Sequence, residues 1–218
     1  MQNMICGIDE AGRGPVLGPL VIAGVMISDE QALLEMNVRD SKLLKSEKRI
    51  ELAGRIRKVC DVELIMVTAM ELDILRQVFS LNELEARAFV KLIHILRPDS
   101  VYVDCVDTDE DSFHEKLVAK LDYSPKVVSK HKADDIYPVV SAASIIAKTV
   151  RDAEVERISR DIGADPGSGY PSDPKTIEFV SGWLEENGRF PPHTRHSWKT
   201  TSRLWEDYRF KPTRLDEF

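Results

Sequence analysis

Residues 5–15 read Ile5-Cys-Gly-Ile-Asp-Glu-Ala-Gly-Arg-Gly-Pro15. An apolar run reaches two adjacent carboxylates, Asp9 and Glu10, and the turn Gly12-Arg13-Gly14 follows at once. Short apolar runs bounded by turn residues suit a buried strand. Carboxylate oxygens are the hard donors that Mg²⁺ or Mn²⁺ prefer. Glycines let a polymeric substrate approach the main chain closely. The stretch therefore suits metal-dependent chemistry on a phosphate ester, although a strand ending in a solvated acidic turn has the same pattern.

Working outward, residues 4–8 and 19–27 read as apolar strands and 62–68 as a third, together an antiparallel meander. Residues 46–59 have helical spacing, with Ser46 placed to act as N-cap. Helical stretches cover 69–77 and 82–96, the second stopped by Pro98. Residues 100–104 form a β-branched and aromatic strand, and 126–129 a fifth strand. The acids from Asp107 to Asp111 precede a helix over 112–121, where negative side chains complement the dipole. Residues 137–158 are helical, and the small and apolar first half is expected to be buried. The layout is α/β with a mixed five-stranded sheet flanked by helices. From Gly163 the texture turns irregular. The expected division is therefore a catalytic domain over 1–162 and a small helical C-terminal appendage over 163–218.

The 218 residues, 43% hydrophobic and 31% charged, suffice for a sizeable core. No apolar run approaches the roughly 20 residues that span a bilayer. The N-terminal stretch lacks the pattern of a secretory signal. Cys6, Cys60 and Cys105 offer no CxxC pair, and a cytoplasmic setting is expected. A net charge of −7 argues against a non-specific nucleic-acid coat. It leaves room for a local basic track. Arg189, Arg195, Lys199 and Arg203 lie in an acid-free stretch; Lys126, Lys130, His131 and Lys132 form a second cluster, and Lys42, Lys45, Lys48 and Arg49 a third.

Asp104 closes Ser100-Val-Tyr-Val-Asp104 much as Asp9 closes its own run. If the two strands are parallel neighbours, both carboxylates emerge at one sheet edge, where α/β sites usually lie. Asp134, before the buried helix, is placed to reach the same edge. Acids gathered there would repel unless cations neutralised them. Two divalent ions about 3.5–4 Å apart would do so. Helix capping is the plainer role for Asp134 and Asp135.

Taken together the motifs resemble ribonuclease HII in its archaeal form. The matching blocks are Gly7-Ile-Asp-Glu-Ala-Gly-Arg-Gly-Pro15 with Gly18-Pro19, Asp40-Ser-Lys-Leu43, Val103-Asp104, Lys132-Ala-Asp134, Tyr137-Pro-Val-Val-Ser-Ala-Ala-Ser-Ile-Ile-Ala-Lys148, Gly167-Ser-Gly-Tyr-Pro171 and Arg195-His-Ser-Trp198. The resemblance implies a ribonuclease H-like fold. It implies endonucleolytic hydrolysis of the RNA strand of RNA–DNA hybrids and of ribonucleotides embedded in duplex DNA, leaving 5′-phosphate and 3′-hydroxyl ends. Such an activity serves ribonucleotide removal and RNA primer removal in DNA replication and repair. By position, Asp9, Glu10, Asp104 and Asp134 are the acids that hold Mg²⁺ or Mn²⁺; Asp135 has no counterpart. Gly12, Arg13, Gly14 and Tyr170 are implied to recognise the ribonucleotide–deoxyribonucleotide junction. Ser41, Lys42, Arg195, Ser197 and Lys199 are candidates for phosphate contacts.

The last residues, Lys211-Pro-Thr-Arg-Leu-Asp-Glu-Phe218, keep the Leu215 and Phe218 spacing of tails that bind the replication sliding clamp. Pro212 stands where glutamine is usual. A monomer is expected. Two rival readings remain at this point, an actin-like phosphotransferase and a non-catalytic hybrid-binding adaptor. The first lacks a second phosphate loop. The second leaves the acids unexplained, because carboxylates weaken polyanion binding unless metals occupy them.

Overall fold

The computed structural model describes residues 3–38 and 45–210. Strands β1 (Ile5–Ala11), β2 (Leu20–Ile27) and β3 (Asp61–Val67) form the expected antiparallel meander. Strands β4 (Ser100–Asp104) and β5 (Lys126–Lys130) add in parallel beside β1, giving the order β3-β2-β1-β4-β5. Strand β1 does not stop at residue 8. Asp9, Glu10 and Ala11 pair with Ala23, Ile22 and Val21, so the acids lie within the strand.

Side chains alternate along β1 and sort the helices into two layers. Cys6 and Ile8 join Leu20 and Ile22 against α4 (Leu81–Leu96) and α5 (Glu110–Val118), whose Phe89, Leu92, Phe113 and Leu117 fill that core. On the other face Val21, Ala23 and Val25 pack on α2 (Ser46–Val59) and α7 (Pro138–Ile162) through Ile56, Val139, Ala142, Ala143 and Ile146. Each fully buried aliphatic side chain stabilises the fold by about 1.5–3 kcal/mol. Gly7 allows the closest approach. A Cβ there would lie 2.3 Å from the Val139 carbonyl carbon, so α7 rests directly on β1.

The first half of α7 is buried, as its composition implies. The helix runs past residue 158 to Ile162 and ends at Gly163 with φ +73°. Ser46 is the first helical residue of α2 and not its cap; Lys45 holds the cap position without a side-chain bond. Helix α5 begins at Glu110, because the Asp109 carboxylate accepts from the Asp111 and Ser112 amides. The short α1 (Gln31–Glu35), α3 (Ala69–Leu75) and α6 (Ala133–Ile136) complete this part.

Helices α8 (Pro174–Asn187) and α9 (Lys199–Arg209) form the C-terminal part. It is stitched to the segment after β1. The Val16 amide donates to Gly169 O (2.8 Å), Gly18 N to His193 O (3.0 Å) and Arg195 N to Val16 O (2.8 Å). The Asp73 carboxylate of α3 accepts from the His196 and Ser197 amides at 2.8 Å each. Among the described residues no helix is long and apolar enough to cross a membrane.

Candidate active site

The parallel register of β1 and β4 ends at Ile8 opposite Val103, and Asp9 and Asp104 are the next residue on each strand. Adjacent parallel strands in register send equivalent side chains to the same face, so the two carboxylates emerge together. Asp104 Oδ1 accepts the Ala133 amide at 2.7 Å, which fastens the start of α6 to the end of β4. Asp134 is the next residue on that helix, and its carbonyl accepts the Ser141 hydroxyl from α7. Asp104 thus brings α6, with Asp134, to the edge where Asp9 stands.

Alternation sends Asp9 and Glu10 to opposite sides. Asp9 faces α7, where Lys148 Nζ lies 2.8 Å from Ser144 Oγ and the Ser144 hydroxyl in turn serves the Asp9 carboxylate. Burial pushes the Asp9 pKa up to about 7, with the charge of Asp104 adding and Ser144 and Lys148 opposing. Glu10 faces α4. Burial first, then the charges of Asp9, Glu85 and Asp104, hold its pKa well above the usual range. Glu10 Oε2 is buried with no hydrogen-bond partner.

These acids offer oxygen donors only, the set that a hard divalent cation takes. An orphaned, desolvated carboxylate oxygen and mutual repulsion are the features that a cation would relieve. In the arrangement seen, no three His, Cys, Asp or Glu side chains among the described residues are gathered into a group that could hold a metal ion. The donors fit the chemistry, and their oxygens are not closed on a common point.

The glycine turn lies beside this edge. Gly12 adopts φ +91°, and a Cβ there would meet Pro19 O at 2.5 Å. Arg13 is pinned to α4, its guanidinium donating to Glu85 and to Asn82 Oδ1. A Cβ on Gly14 would meet only the Tyr170 ring, 3.8 Å away at Cε1. The turn and Tyr170, 156 positions apart in sequence from Gly14, are therefore neighbours in space. Arg151 of α7 lies over the Tyr170 ring at 4.7 Å from its centroid.

A family model described as ribonuclease HII matches residues 6–201. The chain belongs to the ribonuclease HII family. Among relatives, a ribonuclease HII of Methanococcoides burtonii is 46% identical, covering 92% of this chain and 98% of its own. The structure of ribonuclease H2 from Pyrococcus horikoshii superposes with a TM-score of 0.89 at 40% identity, over 95% of this chain and 100% of that one. The ribonuclease HII of Archaeoglobus fulgidus, solved in a PCNA:RNase HII complex, gives 0.87 at 42% identity, over 98% and 100%. As a ribonuclease HII family member the chain is a ribonuclease H hydrolase, of a family that cleaves RNA–DNA hybrids.

Arg195 departs from the expected phosphate contact. It is fully buried, and its guanidinium donates to the carbonyl oxygens of Gly18 (2.8 Å), Gly12 (2.7 Å) and Arg13 (3.3 Å). A side chain committed to three carbonyls inside the protein holds the glycine turn in shape and cannot reach a phosphate. Ser197 and Lys199 are exposed on the C-terminal part. Trp198 is half-buried against the α4 core, with Arg195 over its ring. Ser41, Lys42, Leu215 and Phe218 lie outside the described residues.

Glu85 and Arg151 lie outside the sequence motifs, and Ser144 and Lys148 lie in the Tyr137–Lys148 block with no role assigned by it. Glu85 sits on the apolar stripe of α4 between Leu81 and Phe89, and a charge at such a position is the signal that finds it. Ser144, Lys148 and Arg151 recur at i, i+4 and i+7 and so share one face of α7.

Proposed function

We propose that this chain is a divalent-metal-dependent endoribonuclease acting on RNA–DNA hybrids and on ribonucleotides embedded in duplex DNA. Asp9, Glu10, Asp104 and Asp134 would hold Mg²⁺ or Mn²⁺. When bound, two such ions would supply activation of water and stabilisation of the leaving oxygen for an in-line displacement that gives 5′-phosphate and 3′-hydroxyl ends. The observation that carries this reading is the position of Asp9 and Asp104, each one residue past the last paired residues of β1 and β4, with the adjoining Glu10 Oε2 buried and without a hydrogen-bond partner.

Substrate choice falls to the neighbouring turn. Telling RNA from DNA at one position means detecting a 2′-hydroxyl in the wide, shallow minor groove. The Gly12-Arg13-Gly14 main chain is bare enough to approach it, with Gly14 exposed and Arg13 tied back to α4. Tyr170 flanks Gly14, and its ring would pack on the sugar of the following deoxynucleotide and clash with an extra hydroxyl. Exposed Ser197 and Lys199, with Ser41 and Lys42, supply candidate phosphate contacts.

The reading places the protein as a monomer in the cytoplasm, in ribonucleotide and primer removal. Its tail, with Leu215 and Phe218, would bind the sliding clamp; the Archaeoglobus relative solved with PCNA favours that partner. The test is cleavage of a DNA duplex holding one ribonucleotide, with Mg²⁺ or Mn²⁺ and with chelator. The expected result is metal-dependent cutting at the ribonucleotide, leaving 5′-phosphate and 3′-hydroxyl ends. An intact substrate with both ions would sink the proposal.

A further inference from the structure

Arg151 has no part in holding metal, yet it is 5% exposed and sits between the two elements assigned to junction recognition. Its guanidinium covers the Tyr170 ring at 4.7 Å from the centroid, and Nη2 donates to the Ser168 carbonyl in the same loop. In that loop a Cβ added at Gly169 would meet Nη2 at 3.0 Å, and on the other flank one added at Gly12 would meet Arg151 Cγ at 3.4 Å. Nη1 reaches Asp152 at 3.2 Å, and Asp152 also pairs with Arg49 at 2.7 Å. Nε is buried without a partner. Not every donor is used for tying loops together. The guanidinium lies over the Tyr170 ring and at the same time bonds a carbonyl of its loop, a pairing of roles that suits a planar fork better than the point charge of an ammonium.

Arg151 lies on the same rigid rod as Ser144 and Lys148, which serve Asp9. Seven residues of helix separate Ser144 from Arg151, a rise of roughly 10 Å. We infer that Arg151 is a positioning residue which sets the Tyr170 ring against the glycine turn at a fixed distance from the acids. Through it, α7 works as a ruler between the place of cutting and the place where the sugar is read. This rests on the proposed role of Tyr170 and deepens it.

The experiment uses the full chain with Mn²⁺ and two substrates, a DNA duplex with one ribonucleotide and a uniform RNA–DNA hybrid. The readout is the ratio of their kcat/KM values in the parent, Arg151→Lys, Tyr170→Ala and the double variant. Tyr170→Ala is expected to lower the ratio by about 10-fold or more. Arg151→Lys is expected to lower it by at least about 5-fold while the uniform hybrid loses less than about 3-fold. The double variant should be no worse than Tyr170→Ala alone, since both act through one ring. Parallel losses on both substrates, or effects that multiply, overturn the inference. So does an unchanged ratio in Arg151→Lys beside a changed one in Tyr170→Ala, which leaves the Tyr170 reading standing. An unchanged ratio in Tyr170→Ala removes that reading and this inference together. If Arg151→Lys does not fold, Arg151→Gln is read the same way; if neither folds, Arg151 is a scaffold residue and the inference falls.

Discussion

The guanidinium of Arg195 lies 2.7 Å from the carbonyl oxygen of Gly12, across 183 positions of sequence. One buried side chain from the C-terminal part thus sets the shape of the turn that follows β1. Three carbonyls share its donors, and those of Gly12 and Gly18 would lose a buried partner if it were removed. Arg195→Ala is therefore expected to cost about 3–5 kcal/mol in urea unfolding. Arg195→Lys, with a point charge in place of a fork, recovers only part of it. Unchanged stability with a raised KM would instead return Arg195 to the phosphate contacts.

The two glycines of the turn should part company. Gly12→Ala places a Cβ 2.5 Å from Pro19 O at φ +91° and is expected to lose about 1–3 kcal/mol of stability. Gly14→Ala meets the Tyr170 ring only at ordinary contact distance. It should fold like the parent and lose cleavage of single embedded ribonucleotides by about 10-fold or more, through the lost close approach. Thermal melts and kcat/KM on the two substrates measure the contrast.

Metal-free stability should fall as pH rises. Asp9 and Glu85 have folded-state pKa values near 7, above their ordinary 3.8 and 4.5, mainly through burial. Between those limits the folded chain holds more protons than the unfolded chain. Both groups therefore favour folding at pH 5 relative to pH 8, and the advantage disappears as pH passes about 7. Asp9→Asn removes one buried charge. It is expected to raise the Tm at pH 8 by roughly 2–8 °C, to flatten the pH slope and to abolish cleavage. A steeper slope in the variant would contradict the assignment.

Glu85 holds Arg13 from inside α4, and the pair is unevenly buried, 36% exposed at Arg13 and 0% at Glu85. Glu85→Gln removes a costly buried charge together with an ion pair, so stability at pH 8 should change by less than about 1 kcal/mol. Arg13 then loses its anchor, and KM is expected to rise several-fold with a smaller fall in kcat. A matching loss in Arg13→Ala, and no further loss in the double variant, would show that the two act as one unit.

Much of this was legible in the residues. Ser100–Asp104 and 46–59 are read with the bounds that the structure gives them, because each carries its own period and its own stops. The antiparallel meander also follows from pattern, whereas the parallel placing of β4 beside β1, only a condition in the sequence, is decided by the sheet register. Strand β1 extends three residues past its apolar run, since an acid pair has the pattern of a strand end until its partners on β2 are known.

The sequence by itself determined the mixed sheet, the buried first half of α7 and the family to which the Asp9-Glu10 and Gly12-Arg13-Gly14 motifs point. These rest on local periodicity and on residue types in fixed order, which a chain carries before it folds. Only the tertiary structure decided what Glu85, Arg151 and Arg195 do. A charged side chain pairs, stacks or contacts solvent according to what packs around it. For Arg195 those surroundings come from the opposite end of the chain, where the carbonyls of Gly12, Arg13 and Gly18 close over it.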